Sequence, residues 1–111
     1  MLLVPPMNVT LTERENATFT CRVTGRPRPS IMWIYLESLP AMPPMMMPAP
    51  LIETSGKYII SERNVGEREL RSNLIVVGTL SSDTGFYVCF AENEVAGGIV
   101  MESAFLSVQG Q

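Results

Sequence analysis

The sequence predicts an all-β domain, a sandwich of two packed sheets, on three observations. Short runs rich in Val, Ile, Thr and aromatics recur between turn residues, and no segment keeps a helical period beyond about two turns. The length of 111 residues suits one core and one domain, so residues 1–111 are read as a single unit. The cysteines, Cys21 and Cys89, stand too far apart for a local metal or redox pair but suit a bond between distant strands of a small secreted domain. A closed barrel would offer no reason for one such central bond.

Taken in order, residues 8–12 read as a first strand and 13–16 as a turn. From Ala17 to Thr24 the pattern alternates strictly, with Ala17, Phe19, Cys21 and Val23 on one face and Thr18, Thr20, Arg22 and Thr24 on the other. Gly25-Arg26-Pro27-Arg28-Pro29 ends it, because proline cannot donate to a ladder and restricts the residue before it. Further strands are expected over 30–36, 57–61, 70–77, 85–93 and 99–108, which brings the total to seven. Gly97-Gly98 reads as the hairpin turn between the last two. Residues 36–56 form an insertion with four methionines among five prolines, a surface loop whose apolar character favours ordered packing over bare exposure. Residues 1–4 are too short for a signal peptide and lack a charged leader, so they read as a domain boundary within a longer protein.

Cys21, Trp33 and Cys89 occur in the order and spacing of an immunoglobulin domain. Asp83-Thr84-Gly85-Phe86-Tyr87-Val88-Cys89 carries the tyrosine-corner pattern, with Tyr87 two residues ahead of the second cysteine. Val23 to Pro29 before the tryptophan strand, and Ala91-Glu92-Asn93 after the second cysteine, resemble the I-set of the immunoglobulin superfamily in particular. The resemblance covers nearly the whole chain apart from 36–56. It implies an immunoglobulin-like sandwich with one inter-sheet disulfide, Cys21 to Cys89, against which Trp33 packs. Such a bond is worth roughly 4 kcal/mol in the chain-entropy model. Leu74, Val76 and Leu80 are expected to meet Trp33 from the opposite sheet. More loosely, the chain resembles the immunoglobulin domain of neuronal receptors that combine leucine-rich repeats with one such domain.

Several function classes recede on composition. A net charge of −3, with eight Lys and Arg scattered along the chain, offers no basic stripe to track a phosphate backbone, so nucleic acid is not an expected partner. The chain has no histidine, and so neither the commonest general base near neutral pH nor the commonest metal ligand. No catalytic residue, cofactor site or metal site is assigned, and an enzyme is not expected. Glu67 and Glu69 read as solvated charges at a strand entrance. The longest apolar stretch, 39–52, holds five of the nine prolines and cannot be a spanning helix, so this domain is not expected to insert into a membrane.

Asn8-Val9-Thr10 and Asn16-Ala17-Thr18 are glycan acceptor triplets, which act only on the secretory route. With the cysteines, they suggest an extracellular or cell-surface setting. If Tyr87, Cys89 and Ala91 point inward, Phe86, Val88 and Phe90 point outward. Trp33 inward puts Met32 and Ile34 outside, and burying Ala104, Leu106 and Val108 leaves Ile99, Met101 and Phe105 outside. These eight side chains lie on the strands that the resemblance letters C, F and G, and together could expose on the order of 500 Å², enough to nucleate an interface. The competing reading is that the 36–56 insertion folds over them. The expected function is an extracellular protein–protein recognition module of an adhesion or receptor protein, binding through this face a protein partner, a second copy included. The alternative is a structural spacer, or an intracellular filament-type domain of a muscle protein.

Overall fold

In the computed structural model, residues 1–38, 51–93 and 98–110 are described, and they form eight strands. The strands are β1 (Leu2–Val4), β2 (Val9–Thr12), β3 (Ala17–Thr24), β4 (Ser30–Leu36), β5 (Tyr58–Val65), β6 (Glu69–Val76), β7 (Gly85–Asn93) and β8 (Gly98–Gln109). They assemble into two four-stranded sheets, ordered β1-β3-β6-β5 and β2-β8-β7-β4. All pairings are antiparallel except that of β2 with β8.

The eighth strand comes from the chain start. The expected first strand over 8–12 is preceded by β1, which pairs with β3 as Leu2 opposite Thr24, before the chain crosses to the other sheet and β2 joins β8. Pro5 and Pro6 stand at the crossing, where missing N–H donors favour leaving a ladder. β5 also outruns the expected 57–61, because Glu62, Arg63 and Asn64 continue it. Such polar residues suit an edge strand, where charge discourages pairing with other chains.

The inward sets of both sheets meet in one core that includes Phe19, Val23, Trp33, Leu74, Tyr87 and Leu106. Cys21 and Cys89 form the disulfide between β3 and β7, with Cα atoms 6.4 Å apart. Trp33 is the cross-strand neighbour of Cys89, and Ser72 that of Cys21. The Trp33 indole N–H donates to Ser72 Oγ at 2.9 Å, so the buried polar ends satisfy each other beside the disulfide.

Leu74 and Val76 are buried, as expected, but Leu80 is 49% exposed and does not belong to this core. It caps the 3₁₀ turn Ser81–Asp83, beyond the end of β6, where the strand alternation no longer governs direction. Asp83 anchors that turn by accepting the Leu80 N–H at 2.8 Å and pairing with Lys57 Nζ at 2.6 Å. The Tyr87 hydroxyl donates to the Asp83 carbonyl at 2.8 Å, which completes the tyrosine corner. Burial beside Phe19, whose ring stacks on it at 5.0 Å, pushes the Tyr87 phenol above its ordinary range.

Candidate binding face

β4, β7 and β8 pair without a bulge, so their outward residues line up in rows. Met32, Phe90 and Met101 form one row, Ile34, Val88 and Ser103 the next, and Leu36, Phe86 and Phe105 a third. Ile99 stands opposite Glu92 at one end. The Phe86 and Phe105 rings meet at 5.0 Å in a tilted pair.

The eight outward residues are therefore brought onto one face, but they are not equally accessible. Ile99 is 39% exposed, and Met32, Phe86, Phe90, Met101 and Phe105 are half-buried. Ile34 and Val88 are buried at 6% and 2%, contrary to the expectation that all eight would be open to solvent. Both occupy the middle row. Ile34 pairs with Val88 on one side, and on the other its backbone bridges to Leu51 at the edge of β4. The Ile52 N–H donates to the Trp33 carbonyl at 2.8 Å, which holds this short segment in place. The rest of the insertion, 39–50, lies outside the described residues, as do Gly97 of the expected hairpin turn and its neighbours 94–96.

The opposite sheet presents a different exterior. Thr20, Asn73 and Ser61 form one row across β3, β6 and β5, with Thr20 Oγ donating to Asn73 Oδ1 at 2.7 Å. The next row runs from Val4 on β1 through Arg22 and Arg71 to Arg63. Cations scattered in sequence are thus gathered into a short basic row of three. Only strand register aligns them, and no local motif signals it. Glu69 is not merely solvated: it contacts Arg22 at 3.4 Å and accepts a short bond from Arg71, whose N–H holds the carboxyl below its ordinary range.

A cleft of about 280 Å³ beside β1 is walled by Val4, Pro5, Met7 and Val9 on one side and Thr18, Thr20 and Arg22 on the other. It brings together one cation and no carboxylate. Among the described residues no group of three or more His, Cys, Asp or Glu is arranged to hold a metal, and no helix is long and apolar enough to cross a membrane. Both acceptor asparagines are exposed. Asn16 lies in the turn ahead of β3, and its Oδ1 accepts the Gly78 N–H at 2.9 Å. Asn8 lies just ahead of β2, not within a strand, and its Oδ1 accepts the Phe105 N–H at 2.8 Å.

Two sheets joined by a disulfide under a tryptophan, with a tyrosine corner on the second cysteine's strand, define an immunoglobulin-type sandwich. The family model described as immunoglobulin domain matches residues 1–93, and the chain belongs to that family. It is similar to protein sidekick of Drosophila melanogaster, 33% identical over 105 residues that cover 95% of this chain and 4% of that protein. It is also similar to neogenin of Homo sapiens, 32% identical over 93 residues, covering 84% of this chain and 5% of that protein. Myopalladin of Mus musculus is 31% identical over 106 residues, covering 93% of this chain and 7% of that protein. Among solved structures, an I-band fragment of titin superposes with a TM-score of 0.71 at 30% identity, covering 96% of this chain and 31% of that one. The chain thus spans 4 to 7% of the length of the relatives named. Domains of this family are typically binding or structural modules.

Proposed function

We propose that this domain is an extracellular protein–protein recognition module of a cell-surface adhesion or receptor protein. It binds a protein partner through the apolar face of β4, β7 and β8, and a second copy of the chain is the partner this face fits best. The observation that carries the reading is the asymmetry between the two exteriors. Met32, Phe86, Phe90, Met101 and Phe105 bring three aromatic rings and two thioethers together on one sheet, whereas the middle rows of the other carry Thr20, Asn73, Ser61 and three arginines, and its exposed Leu2, Val4 and Ile59 are aliphatic and lie on its edge strands. Folding requires only the inward sets, and gives no reason to enrich one outer face in large apolar groups. A self-complementary patch of this kind suits a two-fold dimer. The acceptor triplets at Asn8 and Asn16 favour the secretory route, and one relative, 30% identical over 89 residues, is by name a netrin receptor.

The test is the solution mass of the protein as a function of concentration, with Phe90→Glu as the comparison. A rising mass that the substitution abolishes supports the reading. The likeness to myopalladin favours a second reading, a structural domain of a filament protein. Under that reading the mass stays that of a monomer, and in its native compartment the cysteines stay reduced.

A further inference from the structure

Arg63 stands directly opposite Arg71, and Arg71 directly opposite Arg22, on three adjacent strands. All three belong to the outward set, since Cys21, Val23, Leu70 and Ser72 are buried and Ile60 packs against the core. Neighbouring strands lie about 4.8 Å apart, so the row spans roughly 10 Å. Like charges placed directly opposite weaken strand pairing, so stability gives no reason for this arrangement.

The row is only partly neutralised, by one carboxylate against three guanidinium groups. Glu69 pairs with Arg22 and Arg71, whereas Arg63 has no ion pair among the described residues. Arg22 Nε is shielded from solvent and has no hydrogen-bond partner among them. Glu62, beside Arg63, belongs by alternation to the other face of β5. Beyond the row the turns carrying Arg26 and Arg68 adjoin, because the Gly25 N–H donates to the Arg68 carbonyl at 2.9 Å.

We infer that this row is a binding site for a sulfated polysaccharide. A guanidinium presents a planar fork of donors that matches the oxygens of an anion, and adjacent forks suit a polymer that repeats its anionic groups. The next row, Thr20, Asn73 and Ser61, offers hydroxyl and amide groups suited to a hydroxyl-rich chain. The arginine row ends at Val4 on β1, a short aliphatic group and not the Trp, Tyr or Arg anchor that dominates protein interfaces, and neither row carries an aromatic ring on which a nucleic acid base could stack. The inference shares with the proposed function its extracellular setting, where such polymers are met, but not its binding face.

The test is retention of the whole chain on immobilised heparin at low salt, beside immobilised polyglutamate and desulfated heparin. The chain carries a net charge of −3, so retention requires a local cationic site. Heparin is expected to retain it and the other two supports to let it pass. Arg22→Gln, Arg63→Gln and Arg71→Gln should each weaken binding roughly five-fold, and the triple variant should flow through with its circular dichroism unchanged. Arg14→Asn, in the turn between β2 and β3, should elute with the parent, since asparagine tolerates the positive φ found there. If the triple variant does not fold, the single variants decide. Phe90→Glu should leave retention unchanged, which keeps failure of the row distinct from failure of the apolar face. No retention on heparin overturns the inference, and so does retention that survives the arginine substitutions. Equal retention on polyglutamate overturns the polysaccharide in favour of an acidic peptide.

Discussion

The indole N–H of Trp33 reaches across the sandwich to Ser72 Oγ at 2.9 Å, and each partner is the cross-strand neighbour of one half of the disulfide. A polar and a covalent link thus cross the core side by side. Ser72→Ala leaves a fully buried donor without an acceptor and should cost about 1–3 kcal/mol in urea unfolding. In a Trp33→Phe background, where the donor is already gone, the same change should cost much less. Equal costs in both backgrounds would show that the serine acts by packing alone.

Cys21 and Cys89 lie 68 residues apart, so their bond removes much of the freedom of the unfolded chain. Replacing both by alanine should lower stability by roughly 4 kcal/mol, most of what a domain of this size possesses. Protein made in an oxidising host should contain no free thiol by titration. Two titratable thiols in such material would contradict the extracellular reading.

Gly85 opens β7 at a φ of +154°, with the ring of Tyr35 lying over it. A Cβ built there would stand 2.7 Å from the Tyr35 ring, whose hydroxyl is tied to the Thr84 carbonyl at 2.7 Å. The ring cannot swing aside without giving up that bond. Gly85→Ala should therefore destabilise by about 2–3 kcal/mol, through overpacking and a strained backbone together. In a Tyr35→Leu background the penalty should shrink but not vanish, because the φ remains.

Much of this was legible in the residues themselves. Cys21, Trp33, Tyr87 and Cys89 carry both the family and the core, because burial at fixed spacing demands those residue types. Strict alternation over β3 assigned the inward and outward sets correctly. What the sequence concealed depends on partners distant along the chain. β1 is only three residues long and is a strand because β3 offers it an edge. Leu80 looked like core by continuation of β6, but the 3₁₀ turn redirects it. Alternation places Ile34 and Val88 on the outward face, but it gives direction and not accessibility, and both are buried. The arginine row is a product of register across three strands, which no single segment announces.

The two acceptor asparagines make different demands. Asn16 projects from a turn, and a glycan there should be present in protein secreted from mammalian cells, read as a mass loss in Asn16→Gln. Asn8 holds the Phe105 N–H at the border of the apolar face, so a glycan there would stand beside the proposed interface. If both are occupied, Asn8→Gln should strengthen self-association while Asn16→Gln leaves it unchanged. Equal effects would place the interface elsewhere.

Two outward residues two positions apart on β7 should respond in opposite ways to the same change. Val88 is 2% exposed in the middle row, so Val88→Glu must bury an unpaired carboxylate and should cost several kcal/mol, visible as loss of the folding transition. Phe90 lies outside the core cluster and keeps part of its ring in solvent, so Phe90→Glu should fold with near-parental stability. In a dimer formed through this face, however, Phe90 lies within the apolar row it shares with Met32 and Met101. A carboxylate desolvated there should raise the dissociation constant at least a hundredfold, the equivalent of about 3 kcal/mol, and sedimentation should report a monomer at every concentration tried. If Phe90→Glu unfolds the domain, the residue belongs to the core. If it folds and associates like the parent, the apolar face is not the binding surface.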